Sequence, residues 1–228
     1  MKYTAFLVAL LFGVKCVAQN VSYTDWEKKA QTDINLRPEY GNVKKTKEQI
    51  AIDDEFIKTE LSIDTNRTKA SEHLVNLGFT YLYRGDTETA MKRFNQAWLL
   101  NKKNENAYWG FAAVYFNFND LIEAKKQLDK GLAINPNSSN ILTDEATIHM
   151  SRYAVNRNKE ELNTAITIFK KSYSIAPKNQ NTLFKLSAAY YYSNDCVNAL
   201  KYYNECMKLG GQQITPGYGE ALKKMCNM

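Results

Sequence analysis

Few side chains in this 228-residue sequence have the types and spacing that catalysis requires. There are two histidines, His73 and His149, and adjacent carboxylates stand at 53–54 and 160–161. A catalytic, nucleotide-binding or zinc site of a known type would carry a motif that brings such groups together, and none is present. We therefore expect no enzyme, no cofactor and no metal site, and we interpret the carboxylate pairs as solvated surface groups.

The cysteines are the other reactive groups. Cys196 and Cys206 lie on one predicted helix, where ten residues correspond to about 15 Å. A disulfide needs Cα atoms within about 7 Å, so these two cannot pair. Their spacing matches no zinc pattern. Whether either one pairs with Cys226 depends on the helices that carry them.

Composition indicates that those elements are helices. Hydrophobic residues make up 44% of the chain, which is enough to bury a core. The 10 glycines and 4 prolines are few for this length, and the alternation typical of strands is hard to find.

A 34-residue spacing of small and large residues recurs from residue 71 onward. In the first unit, positions 7, 8, 11, 20, 24 and 27 are Leu77, Gly78, Tyr81, Ala90, Phe94 and Ala97. The second unit repeats the pattern with Phe111, Ala112, Tyr115, Ala124, Leu128 and Gly131. Small residues at fixed offsets let two antiparallel helices approach closely, and large residues fill the space around them.

These offsets resemble the tetratricopeptide repeat family. The resemblance implies an all-α fold, an α-solenoid of four helix pairs, over the units 71–104, 105–138, 139–179 and 180–213. The third unit has seven surplus residues near 152–162, so its first helix or its turn is longer. Before the array, 42–61 is predicted to be an amphipathic helix and 19–41 a loosely ordered lead-in. After it, 215–227 is predicted to be a capping helix, which such arrays need.

In this family the first helix of each unit lines a concave groove. Carried over by position, the groove residues that could bind a partner are Phe79, Tyr83, Asn106, Trp109, Phe116, Asn140, Asn181, Phe184, Tyr191 and Tyr192. Exposed aromatic side chains favour a peptide or partner helix as the ligand. The alternative is that some of these rings pack against neighbouring helices and that the asparagines support helix starts. Val75, Phe79 and Asp144 replace the residues with which some members hold a terminal carboxylate, which disfavours that class of partner.

The capping helix makes one disulfide plausible. If it runs antiparallel to the helix before it, the residue facing Cys226 lies near 199, close to Cys196. We therefore favour a Cys196–Cys226 bridge in an oxidising compartment, with three free thiols as the alternative. Cys206 occupies a small-residue packing position and is expected to stay free and buried.

The first residues predict export. Lys2 precedes the apolar run "YTAFLVALLFGV" at 3–14, and Cys16 and Ala18 precede a cleavage site, which is typical of a signal peptide over 1–18. A lipoprotein modified at Cys16 and a retained anchor are the alternatives. Removal of 1–18 leaves 28 basic and 24 acidic side chains, a charge of +4, which is too mild to indicate nucleic acid binding.

Together these observations predict an exported protein, periplasmic in a Gram-negative bacterium, without an integral membrane anchor in its mature chain. We expect it to be an interaction scaffold whose partner is another protein or peptide. The alternative is a structural or assembly subunit whose groove is filled by its own helix at 42–61, and an accessory to an enzyme is a more distant one.

Overall fold

The computed structural model describes residues 22–227, and the predicted signal peptide lies outside them. The described residues contain eleven α-helices and no strand. They belong to two compact units, divided between Pro136 and Asn137, which we call the N-terminal unit (22–136) and the C-terminal unit (137–227).

The N-terminal unit contains six α-helices. They are α1 (Tyr23–Thr32), α2 (Lys47–Ile63), α3 (Arg67–Tyr83), α4 (Thr87–Leu100), α5 (Glu105–Asn117) and α6 (Leu121–Ile134). Two short 3₁₀ helices, Ile34–Leu36 and Pro38–Asn42, lie between α1 and α2. Helices α3 and α4 form one pair and α5 and α6 the next, in the order that the repeat predicts.

The C-terminal unit contains five α-helices. They are α7 (Ser139–Asn156), α8 (Lys159–Ile175), α9 (Gln180–Tyr192), α10 (Cys196–Lys208) and α11 (Tyr218–Met225). Helix α7 has 18 residues and α8 has 17, against 13 in each of α9 and α10, so both helices absorb the surplus of the third unit. The capping helix starts at Tyr218 and not at 215, because Gly217 before it has a left-handed backbone, with a φ of 82°.

The turn between the two helices of a pair uses the same chemistry three times. Gly85, Asn119 and Asn194 each have a positive φ, a conformation that glycine and asparagine adopt at low cost. The aspartate that follows each of them accepts a hydrogen bond from a backbone N–H in the first turn of the next helix. A left-handed residue and an aspartate cap therefore end one helix and start the other.

The two helix pairs of the N-terminal unit meet around one ring. Phe94 of α4 is completely buried, and the backbones of Gly78 in α3 and Gly110 in α5 face it. A Cβ atom at Gly78 would lie 2.4 Å from this ring, and one at Gly110 would lie 2.2 Å from it. Only glycine lets both helices come this close.

Residues 22–42 are packed, which corrects the prediction of a loosely ordered lead-in. Trp26, Leu36 and Tyr40 are buried. Asn95 of α4 is also fully buried, and its amide donates to the backbone oxygens of Asn35 and Arg37 at 2.8 and 2.9 Å. Partners far along the chain thus hold a segment that has little apolar periodicity of its own.

A left-handed turn at Pro38–Asn42 carries a buried carboxylate. The four residues from Glu39 to Asn42 have φ values between 53° and 68°, a conformation that is costly outside glycine. Glu39 accepts hydrogen bonds from Tyr108 at 2.7 Å, from Asn42 at 2.9 Å and from the ammonium of Lys130. Burial alone raises the pKa of Glu39, but these hydrogen bonds outweigh it and hold the pKa below its ordinary value.

Gly110→Ala should destabilise the N-terminal unit. In an open helix, alanine would be more stable than glycine by about 1 kcal/mol. Here the added methyl meets Phe94, so we expect urea unfolding to show a loss of about 1–3 kcal/mol. The double variant with Gly110→Ala and Phe94→Leu should lose less stability than the sum of the losses of the two single variants. Equal or higher stability of Gly110→Ala would contradict this packing.

Glu39→Gln should lower the free energy of unfolding by about 1–3 kcal/mol at neutral pH, because hydrogen bonds to a charged group are lost. The folded pKa of Glu39 lies below its ordinary value of 4.5. The stabilisation is therefore complete above that value and is lost as the pH falls through the folded pKa. Urea unfolding should show the difference from the wild type closing in acid.

Glu27→Gln, on the exposed side of α1, is the matched control and should leave stability nearly unchanged. A difference between the wild type and Glu39→Gln that stays constant into strong acid would argue against an ionised Glu39.

Candidate functional site

Four of the predicted groove aromatics lie on the first helices of the two pairs in the N-terminal unit. Phe79 and Tyr83 are on α3, and Trp109 and Phe116 are on α5. The two residues on α3 are four positions apart and the two on α5 are seven apart, so the members of each pair lie on one side of their helix. The rings of Phe79 and Trp109 are 4.3 Å apart between centroids, and those of Phe79 and Tyr83 are 6.1 Å apart. We call these four residues the aromatic face.

The aromatic face is supported by the core and reaches solvent. Phe79 contacts the buried Phe94 edge to face at 5.1 Å, so the glycine contacts of Phe94 also fix the base of this surface. Phe79, Trp109 and Phe116 are half-buried, whereas Tyr83 is 75% exposed. An exposed ring beside pre-positioned rings can take up an apolar side chain without first rearranging.

Asn106 stands at the start of α5 but does not cap it. The N-cap is Asn104, whose side-chain oxygen accepts from the backbone N–H of Asn106 at 3.0 Å. The amide of Asn104 also donates to Ser71 of α3 at 2.7 Å. The half-buried Asn106 therefore lies in the first turn of α5, next to the cap that connects α5 to α3.

The N-terminal segment covers other elements of the same unit. Tyr23 donates to Asp120 in the α5–α6 turn, and Lys29 pairs with Glu88 at the start of α4. Trp26 packs on Phe118, with ring centroids 5.1 Å apart. These contacts lie on α4 and at the α5–α6 turn, and Glu39 of the same segment also bonds to Tyr108 of α5.

In the C-terminal unit the predicted groove aromatics are largely covered, which corrects the assignment of Phe184. Phe184 is only 3% exposed and packs edge to face on Tyr218 of α11 at 5.3 Å. Tyr191 lies 6.0 Å from the same ring, and Tyr192 lies 5.2 Å from Tyr191. Burial raises the pKa of Tyr192 and of Tyr218. The capping helix thus occupies the surface that Phe184 was predicted to offer.

The predicted asparagines of this unit take part in helix-end bonding. Asn179 is the N-cap of α9 and accepts from the backbone N–H of Asn181 at 3.0 Å. The amide of Asn179 donates to Asn140 at 3.0 Å and so connects the starts of α9 and α7. Deeper between these helices, Lys185 pairs with Asp144 at 3.3 Å. The side chain of Asn140 thus has a structural role, whereas Asn181 contributes its backbone N–H.

The structure joins Cys196 and Cys226 in a disulfide, with Cα atoms 5.6 Å apart. It ties the end of α11 to the start of α10. This is the cysteine pairing that an antiparallel arrangement of the two helices predicts. Cys206 is free and buried, and burial raises the pKa of its thiol. Its Sγ lies 3.5 Å from the backbone oxygen of Gln180.

His149, the histidine at a packing position, joins the two helices of the long pair. Its Nδ1 lies 2.6 Å from a carboxylate oxygen of Glu161 in α8. Within 22–227, no three side chains of the metal-binding types are grouped so that they could hold an ion. Over the same range, no helix has both the length and the apolar content needed to cross a bilayer.

Sequence reasoning missed Tyr218, the residue that covers Phe184. Tyr218 is completely buried, although it follows a proline and a glycine in a segment that reads as a short surface helix. The only local signal is an aromatic residue at the start of an otherwise charged helix.

Comparisons with known proteins agree with this architecture. A family model described as tetratricopeptide repeat matches residues 81–143. No curated protein matches the chain. Among solved structures, Pseudomonas aeruginosa PilF is similar, with a TM-score of 0.57, 16% identity and coverage of 71% of this chain and 69% of PilF. MamA gives a TM-score of 0.47 and 20% identity over 69% of this chain and 86% of MamA.

The similarity to PilF, at this low identity, concerns the fold alone. It agrees with what the residues indicate independently: helices in adjacent pairs, small residues where the helices touch, and a shared turn chemistry. A tetratricopeptide repeat is therefore recognised over residues 81–143, and the described helices pack in the adjacent pairs typical of that fold.

Proposed function

We propose that this protein is an interaction scaffold and that the aromatic face binds a peptide or a helix of a partner protein. The observation that carries the proposal is the exposure of Tyr83 beside the ring pair of Phe79 and Trp109. Rings of this kind are common anchors in interfaces, because they supply a large contact area at a small entropic cost. Tetratricopeptide repeats commonly serve as scaffolds of this kind.

The chemistry of the face favours an uncharged, apolar partner segment. Its four residues carry no charge, and the neighbouring Val75, where some family members have a lysine, is 3% exposed. None of these five side chains offers a terminal carboxylate a cation to offset its desolvation. A partner helix that carries leucine or aromatic side chains on one side would fit such a surface.

Helix α2 is the competing occupant. It is the amphipathic helix predicted over 42–61, and a helix seated in an aromatic groove would bury its apolar residues. In α2 no residue is buried, and Ile50 and Ile52 are 49% and 66% exposed. These exposures argue against α2 as the occupant of the aromatic face.

We also propose that the protein is exported and acts in an oxidising compartment, the periplasm of a Gram-negative cell. The N-terminal sequence and the Cys196–Cys226 pairing support this proposal. No catalytic motif accompanies the repeats, so the proposed role is binding without chemistry.

Tyr83→Ala and Trp109→Ala should weaken peptide binding. Short peptides selected from a displayed library on the wild-type protein provide the probe, and fluorescence anisotropy measures the affinity. Loss of an anchoring ring should lower affinity by about tenfold or more. Because Tyr83 is mostly exposed, its variant should keep the wild-type unfolding midpoint.

Ile122→Ala on α6 is the control, since Ile122 is equally apolar and 80% exposed but lies on a second helix. Peptides whose affinity depends on Ile122 and not on Tyr83 or Trp109 would refute the assignment of the aromatic face.

The chain secreted by a Gram-negative host should begin at Gln19, because cleavage is expected after Ala18. Intact mass and N-terminal sequencing of the protein recovered from the periplasm measure this. Retention of Met1 would contradict cleavage and indicate a retained anchor. A lipid-modified Cys16 would indicate a lipoprotein.

A further inference from the structure

The last helix, α11, has a defined seat in the C-terminal unit. Tyr218 is 0% exposed and lies against Phe184 at 5.3 Å, Tyr203 at 5.9 Å and Tyr191 at 6.0 Å. Its hydroxyl lies 2.7 Å from the hydroxyl of Ser187. We call Phe184, Tyr191, Tyr203 and Ser187 the aromatic seat.

The chain leading into α11 has the backbone of a flexible connection. Gly210, Gly211 and Gly217 all have positive φ, and a Cβ at Gly210 or Gly217 would meet nothing within 4 Å. Turn hydrogen bonds hold this connection, such as that from the N–H of Gly211 to the oxygen of Cys206 at 3.0 Å. The side chain of Gln180 adds a bond to the oxygen of Leu209 at 2.8 Å and one from the N–H of Gln212 at 3.0 Å. Because its glycines can adopt other backbone angles, the connection constrains α11 less than a covalent bond does.

The other end of α11 is fixed covalently. Cys226 directly follows the helix and is bonded to Cys196, the first residue of α10, across a separation of 30 residues. Helix α11 has eight residues, of which only Tyr218 and Leu222 are buried. A helix this short does not persist without tertiary support, so the bond supplies a large share of what keeps it seated.

We propose that the Cys196–Cys226 bond is a redox-sensitive latch, whose reduction releases α11 and uncovers the aromatic seat. A dithiol reductant attacks one sulfur through its thiolate and forms a mixed disulfide, and its second thiolate then displaces the protein sulfur. Cys196 and Cys226 become thiols, and the reductant becomes a disulfide. The latch concerns the C-terminal unit and does not depend on the proposed role of the aromatic face.

The release is expected to be local, because α9 also packs against α8 and α10, which do not depend on α11 for these contacts. Leu183 and Leu186 of α9 and Ala199 of α10 are fully buried. Cys206 is buried in the same helix pair and is not part of the bond. Its thiol is therefore an internal reporter that stays protected if only α11 leaves and becomes reactive if the whole unit unfolds.

Hydrogen exchange and alkylation measured by mass spectrometry test the latch. The processed protein, which lacks Cys16, is purified without reductant, and its intact mass should show one disulfide and one thiol. Dithiothreitol followed by iodoacetamide should label Cys196 and Cys226 and leave Cys206 unlabelled. Amides of α11 should then exchange about tenfold faster or more, while those of α9 and α10 keep their protection.

Two variants separate the latch from general destabilisation. Cys226→Ser should give the fast exchange of α11 without reductant, and Cys206→Ala should behave like the wild type before and after reduction. If Cys226→Ser does not fold, the folded wild type can be reduced and alkylated, and the exchange of α11 is then measured on that protein.

Three results would overturn the proposal. They are three free thiols in the purified protein, unchanged protection of α11 after both thiols are alkylated, and labelling of Cys206 together with loss of protection in α9 and α10.

Discussion

The packing of the Phe94 ring between two glycine backbones is the contact on which the N-terminal unit depends. Gly78 and Gly110 come from different helix pairs, so one side chain sets both the distance within a pair and the distance between pairs. The same ring supports Phe79 and hence the surface we assign to binding. Core packing and partner recognition are therefore coupled through one side chain.

The C-terminal unit meets the same requirement with hydroxyl groups. Thr143 lies 2.8 Å from Ser172 and 2.7 Å from Thr182, so three polar side chains satisfy one another where helices approach. Such a network fixes the relative register of its helices, because each group left without a partner would be costly to bury. The N-terminal unit thus uses glycines at a close helix contact, whereas the C-terminal unit places a hydroxyl network at other positions of its repeats.

Much of the fold could be predicted because its determinants are local. The recurring small residues mark where helices touch, and the turns at Gly85, Asn119 and Asn194 combine a left-handed residue with an aspartate cap. Each signal lies within one 34-residue period, so the helix pairs are readable from the sequence. Gly110 lies outside the family positions, yet a glycine inside a helix indicates a packing reason.

The candidate site was harder to predict, since its exposure depends on distant residues. Trp109 and Phe184 occupy the same position in their repeats, and the local pattern cannot tell them apart. Tyr218, 34 residues beyond Phe184, covers one of them. The packing of 22–42 likewise depends on Asn95, Tyr108 and Lys130, whose contacts with this segment span 55 to 91 residues.

The partners of Glu39 have a consequence for the order of folding. Tyr108 and Lys130 follow Glu39 by 69 and 91 residues, so neither exists when the ribosome has completed only the segment around Glu39. The portion of the described chain that is synthesised first can therefore complete its contacts only after α4 to α6 have been made. Until then Trp26, Leu36 and Tyr40 remain uncovered, and the nascent chain exposes apolar surface of the kind that chaperones bind.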